Sequence, residues 1–144
     1  MNKLTDYRAT LNKLLNVPIY SMNHFWRVSP YKTVKEINKS RKVERIAYLD
    51  LGLTWYYLAG YSTDECVKYF EKRSHSTAIH ALRKVIDCLE NPKRNPILYE
   101  AIKNIKIAAK KEPYNTDDLW ETYLMCNVYL ESNFKNNFKK WKNN

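Results

Sequence analysis

A cluster of residues near the middle of the chain has the chemistry to touch a polyanion. Placed at 100° per residue on a helix, Ser76, His80 and Arg83 share one stripe, with Thr77 and Lys84 at its flanks. Lys72 and Arg73 stand just before that helix. Small hydroxyls fit close to phosphates and base edges, threonine can also meet a thymine methyl, and arginine pairs with guanine or with phosphate. A helix N-terminus adds its own attraction for a phosphate oxygen. Asp87 lies on the same stripe, but at the far end, where such a helix leaves the groove. A solvated helix face can carry the same residue types, so spacing alone leaves both readings open.

The elements that must position this stripe are written in local signals. Ser62-Thr63-Asp64-Glu65 is a capping box, with Ser62 at the N-cap and Glu65 at N3. Cys66, Val67 and Phe70 then form a short apolar face, and Glu71-Lys72-Arg73 a polar turn. Ser74 caps a second helix whose inner face is Ala78, Ile79, Leu82, Val85, Ile86 and Leu89, and Asn91-Pro92 stops it. Two helices joined by a short turn, the second opening with polar residues, describe a helix-turn-helix.

Around this pair the punctuation predicts more helices. Thr5-Asp6 caps a first one with Leu11, Leu14 and Leu15 inward, and Pro18 ends it. Residues 19–31 read as aromatic and irregular with room for a short helix, and 33–39 as another short helix. A long helix is expected over 41–59, with Ile46, Leu49, Leu53 and Tyr57 facing inward and Gly60 as the C′ glycine. Asn95-Pro96 opens a helix with Leu98, Ile102 and Ile105 as core candidates. Thr116 caps a last helix, with Asp117 and Asp118 suited to its positive end and an apolar stripe of Trp120, Tyr123, Leu124, Val128 and Phe134. Four lysines between 135 and 142 interleave with Phe138 and Trp141, a pattern for stacking on nucleic acid or for packing against a partner. The expected fold class is an all-α, multi-helix domain. It divides into an N-terminal helical extension (1–30), a helix-turn-helix domain (31–92) and a C-terminal helical extension with a basic aromatic tail (93–144).

Composition narrows the function classes. The 144 residues include 25 Lys and Arg against 15 Asp and Glu, a formal charge of +10 that suits nucleic acid or an anionic membrane surface. Only two glycines occur, too few for the tight turns of an antiparallel β protein. No apolar run approaches the roughly 20 residues of a membrane span. Three cysteines with no C-x-x-C pair, and no signal-peptide pattern, predict reduced and buried thiols in the cytoplasm. His75 and His80 are not spaced to converge with Cys66 and Cys88 on a metal, and His24 reads as a packing residue. No nucleophile elbow, triad-like set or acidic metal cluster is present. A non-enzyme with no cofactor and no metal is expected.

The run His75-Ser76-Thr77-Ala78-Ile79-His80-Ala81-Leu82-Arg83-Lys84-Val85 resembles the recognition helix of the C-terminal DNA-binding domain of the bacterial replication initiator DnaA. That family shows an acidic residue, then H-[ST]-T, two hydrophobics, H-A, one variable position, two basic residues and a hydrophobic. The likeness extends without gaps over residues 33–89: Ser62 falls on the family's helix-capping serine, Phe70 on a core phenylalanine, Lys72-Arg73 on the Gly-Arg turn, and Ser40-Arg41-Lys42 on the basic loop before a long helix. The resemblance implies a helix in the major groove and a basic loop on the backbone or in the minor groove. His75, Ser76 and Thr77 would approach bases with Arg73 alongside and Ser74 and His80 completing the base-reading set. Lys72, Arg41, Lys42, Arg83 and Lys84 would hold phosphates, with Arg45 and Ser62 beside them. The chain departs from the pattern in two places. Ser74 replaces the acidic residue that can accept from cytosine, and Ile46 and Tyr48 stand where the family has basic residues. DnaA initiators also carry an ATPase module, and the chain has no G-x-x-x-x-G-K-[ST] motif.

The expected partner is double-stranded DNA, in replication initiation at an origin or in transcription control, with a phage or mobile element as a fitting source. A further expected partner is another replication or phage protein engaged by the terminal helices; no membrane is expected. The alternative is a phage structural, assembly or host-interaction protein that keeps the fold without reading sequence. The expected location is the cytoplasm, at the nucleoid or in an infected host.

Overall fold

A computed structural model describes residues 3–17, 20–112 and 115–118. Among them there are only helices: α1 (Lys3–Leu15), α2 (Met22–Val28), α3 (Val34–Lys39), α4 (Arg45–Leu58), α5 (Thr63–Tyr69), α6 (His75–Glu90), a 3-10 turn (Pro92–Arg94) and α7 (Pro96–Lys111). The fold class is all-α. The stripe expected after residue 119 and the basic aromatic tail lie outside the described residues, as does Pro18.

The hub is α4. Leu49, Leu51, Leu53, Trp55, Tyr57 and Leu58 point around its whole circumference, and all are buried. A helix apolar on every side must be covered on every side, and α1, α2, α3, α5, α6 and α7 all pack on it. The cost of an apolar helix becomes an advantage here, since each fully buried Leu contributes about 1.5–3 kcal/mol. Gly52 sits where two phenylalanines converge: a Cβ there would meet Phe70 Cζ at 2.7 Å and Phe25 Cζ at 3.3 Å. The missing side chain is what lets α2 and the end of α5 close on the hub.

Several boundaries differ from the sequence reading. The chain is already helical at Lys3, so Thr5 and Asp6 lie inside α1 and do not cap it. The helix stops at Leu15 because Asn16 turns into the left-handed region (φ 53°), without needing proline. Residues 22–28 form a regular helix capped by Ser21, whose hydroxyl accepts from the His24 amide. The long helix begins at Arg45, four residues later than expected, because Ser40 Oγ accepts from the Lys42 amide and holds 40–42 in a turn. Ile46, expected inside, is 46% exposed in the first turn of α4. Residues 116–118 are helical, and the cap is Asn115: Asn115 Oδ1 accepts from the Asp118 amide and Asp118 Oδ2 from the Asn115 amide, both at 2.9 Å. Asp118 is therefore a capping-box acid at N3.

The expected boundary at residue 30 does not interrupt the core. Leu11, Leu15 and Phe25 belong to the same buried cluster as Leu82, Val85 and Ile102. His24 is fully buried, and its Nε2 donates to the Glu112 carbonyl at 2.8 Å, so α2 also fastens the end of α7. Burial lowers its pKa.

Candidate nucleic-acid interface

The α5–α6 pair forms as its signals require. Ser62 Oγ accepts from the Glu65 amide at 3.1 Å, and Glu65 Oε1 accepts from the Ser62 amide at 2.9 Å. The Ser62 amide and a lone pair of its hydroxyl are thus engaged in starting α5. At the other end the Glu71 amide donates to Lys68 O and the Lys72 amide to Val67 O, at 3.1 and 2.7 Å, which closes a Schellman turn. Its C′ position needs a left-handed residue, and Glu71 fills it with φ 60°. Glycine avoids the Cβ clash there, although it loses more chain entropy on folding. Glu71→Gly should therefore raise stability by about 0.5–1 kcal/mol in urea denaturation, and an unchanged midpoint would mean the turn carries no strain.

Ser74 then caps α6, its Oγ accepting from the Ser76 amide at 3.3 Å and lying 2.8 Å from Ser76 Oγ. Two base-reading candidates are thus bonded to each other, and the first turn of α6 contains no acid to neutralise its positive end. Arg73, Ser74, His75, Ser76 and His80 are exposed, and Thr77 is half-buried. The inner face is Ala78, Ala81, Leu82, Val85 and Cys88, with Ile79, Ile86 and Leu89 at its margins.

Tertiary packing joins a second basic segment to this turn. Asn38 Nδ2, on α3, donates to Phe70 O at 3.1 Å, so the loop between α3 and α4 is tied to the turn between α5 and α6. Arg45 reaches back along its Nη1 to Asn38 O at 3.5 Å. The Lys72 pKa is lowered, first by partial burial and then by the positive charge of Arg45. Arg41, Lys42 and Val43 are exposed on the loop. Ser40 Oγ, 3.0 Å from the buried Tyr31 hydroxyl, anchors the loop from beneath. A shallow groove of about 340 Å³ runs behind it, where Glu36 and Glu44 balance Lys39 and Lys42.

The two cations in the middle of α6 have different fates. Lys84 Nζ is 2.8 Å from Asp50 Oδ2, and Asp50 is a nearly buried residue of α4. Its ammonium is thus already paired within the fold, although the side chain is 45% exposed. Arg83 is exposed and donates from Nε to the Tyr7 hydroxyl at 2.7 Å. Asp87, the acid on the outward stripe, is paired with Arg94 of the 3-10 turn at 2.9 Å. Tyr7, Asn38, Asp50 and Arg94 were not singled out from sequence as site residues. Only Asp50 left a signal: an acid inside an apolar helix calls for a cation.

Neither described thiol is activated, and Cys126 lies outside the described residues. Cys66 and Cys88 are buried and unbridged; burial pushes the Cys66 pKa up to about 12 and also raises that of Cys88. Among the described residues, no three His, Cys, Asp or Glu side chains are grouped to hold a metal. No helix among them is long and apolar enough to cross a membrane. No protein-family model, curated protein or solved structure matches the chain.

Proposed function

We propose that this chain is a non-enzymatic double-stranded DNA-binding protein that lays the start of α6 in the major groove. One observation carries the reading: the Asn38–Phe70 hydrogen bond brings a basic loop to the basic turn that opens α6. Base edges would meet Arg73, Ser74, His75, Ser76 and Thr77, with His80 one turn further on. Phosphates would meet Arg41, Lys42, Arg45 and Lys72, with Arg83 at the flank. The net charge of +10 supplies the long-range attraction. The likeness of residues 33–89 to the DnaA C-terminal domain supports the same geometry and points to origin marking or transcription control, in a phage or mobile element.

Arg73→Ala or His75→Ala should each lower affinity for a selected duplex by about 1–3 kcal/mol and relax sequence preference. Selection of duplexes from a random pool tests the reading directly, and an enriched short motif is the expected result. A second reading, a protein-interaction role, draws on Val43 (74% exposed) and Ile46, an apolar pair beside the basic loop. A pool that stays flat, with salt-insensitive binding, would favour it.

A further inference from the structure

We propose that the N-terminal helix belongs to the duplex interface, with Tyr7 acting as a positioning residue that aims Arg83 at a phosphate. The inference rests on the reading that α6 faces DNA and adds a part of the chain outside the DnaA-like segment.

Three observations lead to it. First, α1 is fastened to the core and has little freedom to slide. Leu11 and Leu15 are fully buried. Arg8 Nη2 donates to the carbonyls of Tyr57 and Tyr61 at 3.1 and 3.2 Å, at the end of α4, with its guanidinium carbon 3.9 Å from the centre of the Tyr57 ring. A cation on C-terminal carbonyls is a favourable anchor, and it fixes the register of its neighbour Tyr7.

Second, Tyr7 holds Arg83 by its Nε alone. The bond is 2.7 Å, and the guanidinium carbon is 5.8 Å from the Tyr7 ring centre. The two Nη groups, which form the fork suited to two phosphate oxygens, have no protein acceptor among the described residues. A guanidinium already held in place loses less freedom when it meets a phosphate.

Third, α6 has no other cation to offer. Arg83 and Lys84 are its only basic residues apart from its two histidines, and Lys84 is bound to Asp50. The phosphate contact beyond the first turn of α6 therefore falls to Arg83, and its direction falls to a residue 76 positions earlier.

The test is a double-mutant cycle on the full chain, read as affinity for a mixed-sequence duplex at several salt concentrations. Tyr7→Phe keeps the ring and removes the hydroxyl. It should weaken binding about threefold to tenfold, the scale of one hydrogen bond, and leave the melting temperature unchanged. Arg83→Ala should weaken binding further and reduce the salt slope by about one. The double variant should bind no more weakly than Arg83→Ala alone. Should Arg83→Ala melt early, Arg83→Gln replaces it in the cycle. Wild-type affinity in Tyr7→Phe, or a Tyr7 effect that persists without Arg83, overturns the positioning role while leaving the DNA reading intact. Absence of salt-dependent duplex binding by the wild-type chain overturns both.

Discussion

Lys84→Ala is expected to destabilise the fold by about 2–3 kcal/mol at neutral pH, somewhat less than the roughly 3–5 kcal/mol for breaking a fully buried pair. The discount follows from Lys84 itself, whose side chain is 45% exposed and partly screened. The loss arises at Asp50, which is nearly buried and would be left without its partner. Burial raises the Asp50 pKa, and the Lys84 ammonium, by hydrogen bond and charge, pulls it back only in part. Its folded value therefore lies above its unfolded one. The associated stability is fully present below the unfolded value, near 3.9, and is lost as pH rises through the folded value. Removing Lys84 takes away the downward pull and moves that loss to higher pH and larger size. The gap between wild type and Lys84→Ala should then shrink markedly from pH 7 to pH 4 in urea denaturation. Asp50→Asn combined with Lys84→Met should recover much of the lost stability. A gap independent of pH would sink this account, and a large fall in duplex affinity by the folded variant would return Lys84 to the phosphate set.

The second large effect has the opposite pH sense. Arg27 grips both oxygens of Asp118, Nη1 to Oδ1 at 2.8 Å and Nη2 to Oδ2 at 2.6 Å, and Asp118 is fully buried. Burial pushes the Asp118 pKa up, but the Arg27 fork and the Asn115 amide outweigh it and hold the group below the ordinary carboxylate range. A depressed folded pKa gives stability that is present above the unfolded value and lost as pH falls through the folded one. Arg27→Ala should cost about 3 kcal/mol at pH 7, since it strands a buried carboxylate. It should also flatten the loss of stability below about pH 4. Arg27→Lys, which keeps the charge but not the two-pronged geometry, should recover only part. Unfolding midpoints from pH 7 down to pH 2 would show both effects, and an acid limb as steep in Arg27→Ala as in wild type would place the proton uptake elsewhere. The pair matters for architecture because it ties residues 115–118 back to α2.

These two aspartates show how far the sequence could be read. Asp118 was placed correctly at a helix start but one residue out, because Asn115 and Thr116 are both capable caps and only geometry chooses between them. Asp50 interrupts the apolar stretch 46–59, which marks an acid in need of a cation but does not say which cation. Ile46 was assigned to the core because periodicity specifies a face and not a neighbour, and among the described residues the first turn of α4 stays exposed on that side. The start of α4 was misplaced for a related reason. Glu44 makes no side-chain cap bond, so the boundary had no local marker.

By itself the sequence determined the helical class, the α5–α6 pair with its capping box, the Ser74 cap and the Asn95-Pro96 start of α7. Each of these depends on partners within a few residues, and a hydrogen bond to a neighbouring amide forms wherever the segment ends up. Only the tertiary structure decided which polar residues of that pair stay available to a ligand. Lys84 went to Asp50, Arg83 was joined by Tyr7, Asp87 was paired by Arg94, and the basic loop was brought to the turn through Asn38. The reason is physical: how strongly a charge needs a partner depends on how much water its surroundings leave it, and that is fixed only when the helices close around α4.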